Sequence, residues 1–303
     1  MNRLNNILFA TDFSEASQHA LEHAAVVAAK NDATLHVVHV RVLLNDMYGQ
    51  RDFPARTEYQ QALDTFAKDN IEGIAPKFDV PIKRKIVRDV AAAPAIVEYV
   101  KHNAIDLVVL GSHGRTGLAH VLLGSVAQEV VRHCPVNVLV VGHNDDHAIH
   151  PEGYRTIACA IDFSLHSKRA LKDAAALAMA HQAKLVVMHV ISTVPHPAYY
   201  MAASDVLSDV FPRLESFAKK QMAELVAELA LPENVDVETL ILEGVIHEKI
   251  NEVTRQHNAS VLVVGTEGNT GLERFLLGSV AEKVLRTAPC PVLAVKAVEP
   301  SNI

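Results

Sequence analysis

Two glycine- and serine-bearing stretches carry the strongest chemistry in this sequence. Gly111-x-x-Gly114, nine residues, then Gly124-Ser125 recurs as Gly265-x-x-Gly268, nine residues, then Gly278-Ser279. Each stretch follows a short apolar run of the kind that forms a buried strand. Glycine after a strand lets the backbone approach an anion closely, with its N–H groups turned inward. Gly124-Ser125 and Gly278-Ser279 open helical patterns, whose first N–H groups and dipole favour negative charge, and each serine adds a hydroxyl donor. The pattern reads as phosphate binding. The alternative is that these glycines serve only tight turns and close helix–sheet packing. The same spacing in two copies weighs against it. Neither half carries GxGxxG after its first strand or a GxxxxGK[ST] loop, so dinucleotide-type and Walker-type sites are excluded.

A second candidate is the aspartate of two matching turns, Asp12 in ATDFS and Asp162 in AIDFS. Each stands just past an apolar strand, where open α/β sheets bind their ligands. Ser14 is placed to cap the helix that follows. Asp12 and Asp162 serve either as ligand contacts or as charges complementing that helix's dipole, and the position at the strand end facing the glycines favours ligand contact.

No catalytic constellation emerges. Ser125 has no neighbouring His–Asp pair, and G-x-S-x-G is absent. The turns ATDFS and AIDFS match neither HxGH nor SGGxDS, which argues against a fast nucleotidyl-transfer enzyme. Seventeen histidines invite a metal reading, but His19/His23 and the group His143, His147 and His150 lack structural-zinc spacing. They read as solvated surface residues, and no metal site is expected. Cys134, Cys159 and Cys290 form no CxxC pair and read as buried small hydrophobes.

The elements that must position these residues are written twice. The stretch from Ile7 to Val40 reappears from Ile157 to Val190 at an offset of 150, and Gly111 reappears as Gly265 at an offset of 154. The difference falls between about 41 and 96, where a variable surface loop and helix are expected. In the first copy the pattern predicts strands at Ile7–Ala10, Thr34–Val40, Ile82–Val87, Leu107–Leu110 and Val136–Val141. It predicts helices at Ala91–Lys101, at Ser125–His133 and in an Ala-rich stretch with Ala20, Leu21, Ala24 and Ala28 on one face. Alternating strands and helices give an open α/β sheet in each half. The expected organisation is a domain at 1–143, a polar linker at 144–153 and a second domain at 154–303.

Composition sets the outer limits. A 303-residue chain with 50% hydrophobic and 21% charged residues is globular and long enough for two cores. With 28 Lys+Arg against 35 Asp+Glu and no basic run, nucleic acid is not the expected partner. No run approaches the length of a membrane helix, no signal h-region is visible and the cysteine count is odd, so the expected compartment is the cytoplasm.

Both halves resemble the universal stress protein family, and the whole chain resembles its tandem type. The motif G-2x-G-9x-G-[ST] is the specific part and resembles the nucleotide-binding branch. The resemblance implies two tandem five-stranded parallel α/β domains of strand order 3-2-1-4-5, with helices on both faces and an ATP site, with Mg2+, in each. It implies that Asp12 and Asp162 face the ribose and adenine side, and that Val40 and Val190 lie against adenine. Gly111 and Gly265 would approach the ribose. Gly114, Gly124, Ser125 and Val126 would hold phosphates, as would Gly268, Gly278, Ser279 and Val280 in the second half. Activity would be at most slow ATP hydrolysis, or phosphoryl transfer to Ser125 or Ser279. The fifth strands would pair the two domains within the chain as a pseudo-dimer, and a further homodimer is compatible.

The copies differ. By linear spacing, the family's glycine after the third strand falls on Val90 in the first half and is kept as Gly244 in the second. Glu267 and Asn269 flank Gly268, where the first half has His113 and Arg115. The first half is therefore expected to be the better triphosphate site. A competing reading makes the chain an adaptor, or a binder of small apolar molecules, with degenerate glycine sites. Recognition would then lie in segments 43–62 and 193–217, which hold Tyr48, Phe53, Tyr59, Tyr199, Tyr200 and Phe211.

Overall fold

The structure, a computed structural model, describes residues 3–42, 54–74, 79–112, 123–142, 149–150, 152–192, 204–267 and 277–296. The chain divides into two compact units, 2–149 and 150–303. All of segments 43–53 and 193–203, and Gly114, His113, Arg115, Gly268 and Asn269, lie outside the described residues.

The first unit runs β1 (Asn6–Thr11), α1 (Glu15–Asn31), β2 (Thr34–Val42), α2 (Pro54–Gly73), β3 (Ile82–Asp89), α3 (Ala92–His102), β4 (Leu107–Gly111), α4 (Ser125–His133) and β5 (Asn137–Val141). The second repeats it: β6 (Thr156–Ala160), α5 (Leu165–His181), β7 (Lys184–Ser192), α6 (Ser204–Glu228), β8 (Val237–Gly244), α7 (Ile246–Gln256), β9 (Val261–Gly265), α8 (Ser279–Thr287) and β10 (Val292–Val295). Within the first unit the strands lie in the order β3-β2-β1-β4-β5, all parallel. Within the second they lie β8-β7-β6-β9-β10, also parallel, so both units have the order 3-2-1-4-5. Right-handed crossovers then set α1 and α2 on one face of the first sheet and α3 and α4 on the other.

The core follows from these layers. The central strands are covered on both faces, and Ile7, Leu8, Val108, Val109, Ile157, Val261 and Val263 are fully buried. Ala20, Ala24 and Ala28 of α1 are also fully buried, since small side chains let the helix sit close to the sheet. Leu21, expected on that face, is half-buried.

The edge strand β3 carries Lys83, Arg84, Lys85 and Arg88, charges that discourage edge-to-edge pairing. Two of these cations also hold α2 down. Arg84 donates to the carbonyls of Ile71 and Ile74 at 3.0 and 2.6 Å, closing the helix C-terminus. Arg88 and the buried Arg41 both donate to Asp64 of α2.

The sheet register corrects one expectation. Val42 pairs with Asp89, and its counterpart Ser192 pairs with Gly244. The position of Gly244 is thus taken by Asp89, and not by Val90 as linear spacing suggested. The first unit has one more residue between strand and helix at this point. Gly244 adopts φ 142°, whereas the first unit turns with Asp89 Oδ1 accepting from Val90 N and Ala91 N at 2.6 and 3.3 Å. Among the described residues, no helix is long and apolar enough to cross a membrane.

Candidate functional site

The strand order reverses between β1 and β4, and a cleft of about 200 Å3 opens beyond their C-terminal ends. Its lining includes Asp12 after β1, Val40 in β2, Gly111 at the end of β4, and Gly124, Ser125 and Val126 at the start of α4. Six of the seven first-half residues singled out above therefore meet at one cleft, and the seventh, Gly114, lies outside the described residues. Sequence reasoning missed four further lining residues, Ala92 and Ile96 of α3 together with Thr11 and Ser17.

The Asp turn is fixed by its own side chains. Ser14 is the N-cap of α1 and accepts from Ser17 N. Asp12 Oδ1 in turn accepts from Ser14 N at 3.0 Å and from Ser14 Oγ at 2.6 Å. Thr11 Oγ1 accepts from Phe13 N at 3.0 Å. The second unit repeats the design, with Ser164 capping α5 and Asp162 Oδ1 accepting from Ser164 N at 3.0 Å. There Ile161 replaces Thr11, and Ser167 Oγ accepts from Asp162 N at 3.2 Å instead.

The donor-rich end of the cleft is the first turn of α4. Its N-cap is Gly124, whose own N–H donates to Ser112 O at 2.7 Å. The next three N–H groups, of Ser125, Val126 and Ala127, have no intrahelical acceptor, and all three residues line the cleft. In the second unit Gly278 caps α8 and donates to Thr266 O at 2.8 Å, placing Ser279 and Val280 equivalently. The donor set suits a phosphate in both units. Among the described residues, no group of three or more His, Cys, Asp or Glu side chains is placed to hold a metal ion.

The second unit is more acidic around this end. Glu267, after β9, lies 3.7 Å from His166 Nδ1 at the start of α5. Glu282 stands in the first turn of α8, paired with Arg286 at 2.7 Å, where the first unit has Gln128. Gly265 has a steric role of its own, since a Cβ there would meet the backbone carbon of His166 at 3.3 Å. Val190 is buried and Asp162 half-buried.

The histidines do not all behave as surface residues. His23 is 3% exposed, and burial together with the neighbouring His19 pushes its pKa down to about 4. His150 is half-exposed, while His143 and His147 lie outside the described residues. The three cysteines are free and buried, and burial raises the Cys159 thiol far above its ordinary value, so it stays protonated.

The universal stress protein family model matches residues 3–142 and 153–296, nearly the whole chain in two copies. The chain belongs to the universal stress protein family. A universal stress protein of Mycobacterium tuberculosis is 29% identical over 306 residues, spanning 96% of this chain and 97% of its own. A universal stress protein of Methanocaldococcus jannaschii is 35% identical over 144 residues, or 47% of this chain and 82% of that one. Among solved structures, a universal stress protein from Archaeoglobus fulgidus aligns with a TM-score of 0.67 at 22% identity, covering 96% of both chains. That likeness shows the fold. The double family match agrees with the internal repeat and with the tandem resemblance drawn from the glycine motif.

Proposed function

We propose that each unit binds an adenine nucleotide at the C-terminal ends of its strands, and that the chain acts as a nucleotide-responsive regulatory module in the cytoplasm. The observation that carries this reading is the first-unit cleft. It gathers Asp12, Val40, Gly111, Gly124, Ser125 and Val126 from elements up to 114 positions apart in the sequence. The apolar part, Val38, Val40 and Ile96, suits a base, the α4 N–H groups suit phosphates, and Asp12 suits the hydroxyls of a ribose. Mg2+ would enter with the phosphates as their counter-ion. Catalysis is at most slow hydrolysis, because no general base stands among the residues named for the cleft other than Asp12, which is engaged with Ser14.

Isothermal titration of the purified chain with Mg-ATP, AMP and GTP tests the proposal. The expected result is saturable binding of ATP in preference to GTP, with two events of unequal affinity. Absence of heat with every nucleotide, in protein shown by extraction to carry none, would refute it. In that case the adaptor reading gains, for which Leu214 and Phe217 of α6 are the supporting observation at 47% and 61% exposure.

A further inference from the structure

Capping does not explain the phenylalanine in each Asp-Phe-Ser turn. Phe13 and Phe163 both adopt φ 64°, the left-handed region that glycine enters freely and a residue with a Cβ enters at a cost. The turn alone would be met by glycine. Phenylalanine stands there in both copies, so its ring must return something that offsets the strain.

Each ring lies against an imidazole from the second strand of its unit. Phe13 and His39 have ring centroids 4.3 Å apart, and Phe163 and His189 are 4.4 Å apart. Each imidazole is fixed in turn. His39 Nδ1 lies 2.8 Å from Thr11 O, and His189 Nδ1 lies 2.8 Å from Ile161 O. A carbonyl oxygen only accepts, so Nδ1 carries the proton and donates in both units. The carbonyls belong to the residues immediately before Asp12 and Asp162. The histidine thus fixes the backbone entering the aspartate, and the phenylalanine packed against it, its ring tilted by 31° in the first unit and 43° in the second, fixes the backbone leaving.

We propose that Phe13–His39 and Phe163–His189 are positioning pairs, which hold Asp12 and Asp162 in the orientation that binds the ribose side of the nucleotide. The inference rests on the nucleotide reading above and assigns roles to residues beyond the glycine motif. In the first unit the pair reaches α2 as well, since Phe66 meets the Phe13 ring edge-on at 6.0 Å. A shift of the Asp12 turn on ligand binding would reach that helix directly.

The test uses the full chain, titrated with Mg-ATP as wild type and as Phe13→Gly, Phe13→Tyr, His39→Leu and His39→Asn, with a thermal melt of each. Phe13→Gly keeps the left-handed backbone accessible and removes only the ring. It is expected to weaken the first-unit event about tenfold, the scale of one mispositioned charged hydrogen bond, while the second-unit event and the melting midpoint stay close to wild type. Phe13→Tyr keeps the ring contact and is expected to bind within about twofold of wild type. His39→Asn retains a donor near the Nδ1 position and is expected to bind better than His39→Leu. Wild-type affinity in both Phe13→Gly and His39→Leu would overturn the positioning role and leave the nucleotide reading standing. An equal loss in Phe13→Tyr and Phe13→Gly would also overturn it. No binding by the wild type would overturn the nucleotide reading and this proposal together.

Discussion

Arg41 and Arg88 stand opposite each other in the β2–β3 register, where the second unit places Ile191 opposite Glu243. Two cations on adjacent strands repel, and Arg41 is buried. Asp64 of α2 resolves the conflict by accepting from both, and the hydrogen bond from Arg41 is the main cause holding its carboxyl below the usual range. Helix α2 is therefore tied to the sheet by charge as well as by packing.

Removing the carboxylate alone is predicted to be worse than removing it with the buried cation. Asp64→Ala leaves Arg41 buried beside Arg88 with its charge uncompensated, which is the destabilising case for buried ion pairs. Asp64→Ala with Arg41→Ile, which copies Ile191, is expected to recover more than half of the lost denaturant midpoint. Urea unfolding of the wild type and the two variants checks this. A double variant no more stable than Asp64→Ala would contradict it.

Acid stability is predicted to carry a signature of His23. Its folded pKa of about 4 lies below the ordinary value of 6.5, so protonation favours the unfolded chain. The sign is therefore definite: the contribution is constant above about pH 6.5 and is lost as pH falls from there to about 4. The loss amounts to roughly 3 kcal/mol over that window. His23→Leu is expected to flatten the dependence of unfolding free energy on pH between 6.5 and 4, whatever it does to stability at pH 7.5. An unchanged slope in the variant would show that His23 is not its source.

The turns and helix starts were legible in the sequence because their causes are local. Ser14 caps α1 through contacts within three residues, and Gly124-Ser125 opens α4 at the expected position. What escaped was assembled by tertiary pairing. Phe13 and His39 lie 26 positions apart and meet only because β1 and β2 are neighbours, with Thr11 opposite His39. Ala92 and Ile96 reach the cleft from a helix whose apolar stripe reads as ordinary core. His23 sits beside Ala24 on α1, and nothing in the local pattern separates an exposed histidine there from a buried one. The Val90 alignment failed because a one-residue difference before α3 is visible only in the strand register.

Gly265 is predicted to be needed for packing, independently of its part in the proposed nucleotide site. A Cβ at this position would meet the His166 backbone at 3.3 to 3.4 Å, and backbone at a helix start gives way less readily than a side-chain end. Gly265→Ala is expected to cost about 1 kcal/mol of stability, seen in urea unfolding without any nucleotide present. An unchanged midpoint would remove the packing role and leave only its part in the proposed nucleotide site.

Charge distinguishes the proposed phosphate ends of the two units. Glu267 and Glu282 stand in the second unit where the first has His113 and Gln128. Glu282 is paired with Arg286, so Glu267, with 31% of its side chain exposed, is the carboxylate whose field matters more. A charge roughly 8 Å from a phosphate costs about 2 kcal/mol at an effective dielectric near 20, and partial exposure lowers that to about 1 kcal/mol. Glu267→Gln is therefore expected to tighten ATP binding at the second site about fivefold and AMP binding less, because AMP carries fewer phosphate charges. The gain should shrink as salt rises from about 50 to about 500 mM, roughly a threefold drop in Debye length. Titration of the variant with both nucleotides at two salt concentrations reads the effect. An equal gain for AMP and ATP would mean that Glu267 acts on the shape of the site through His166 and not on phosphate charge.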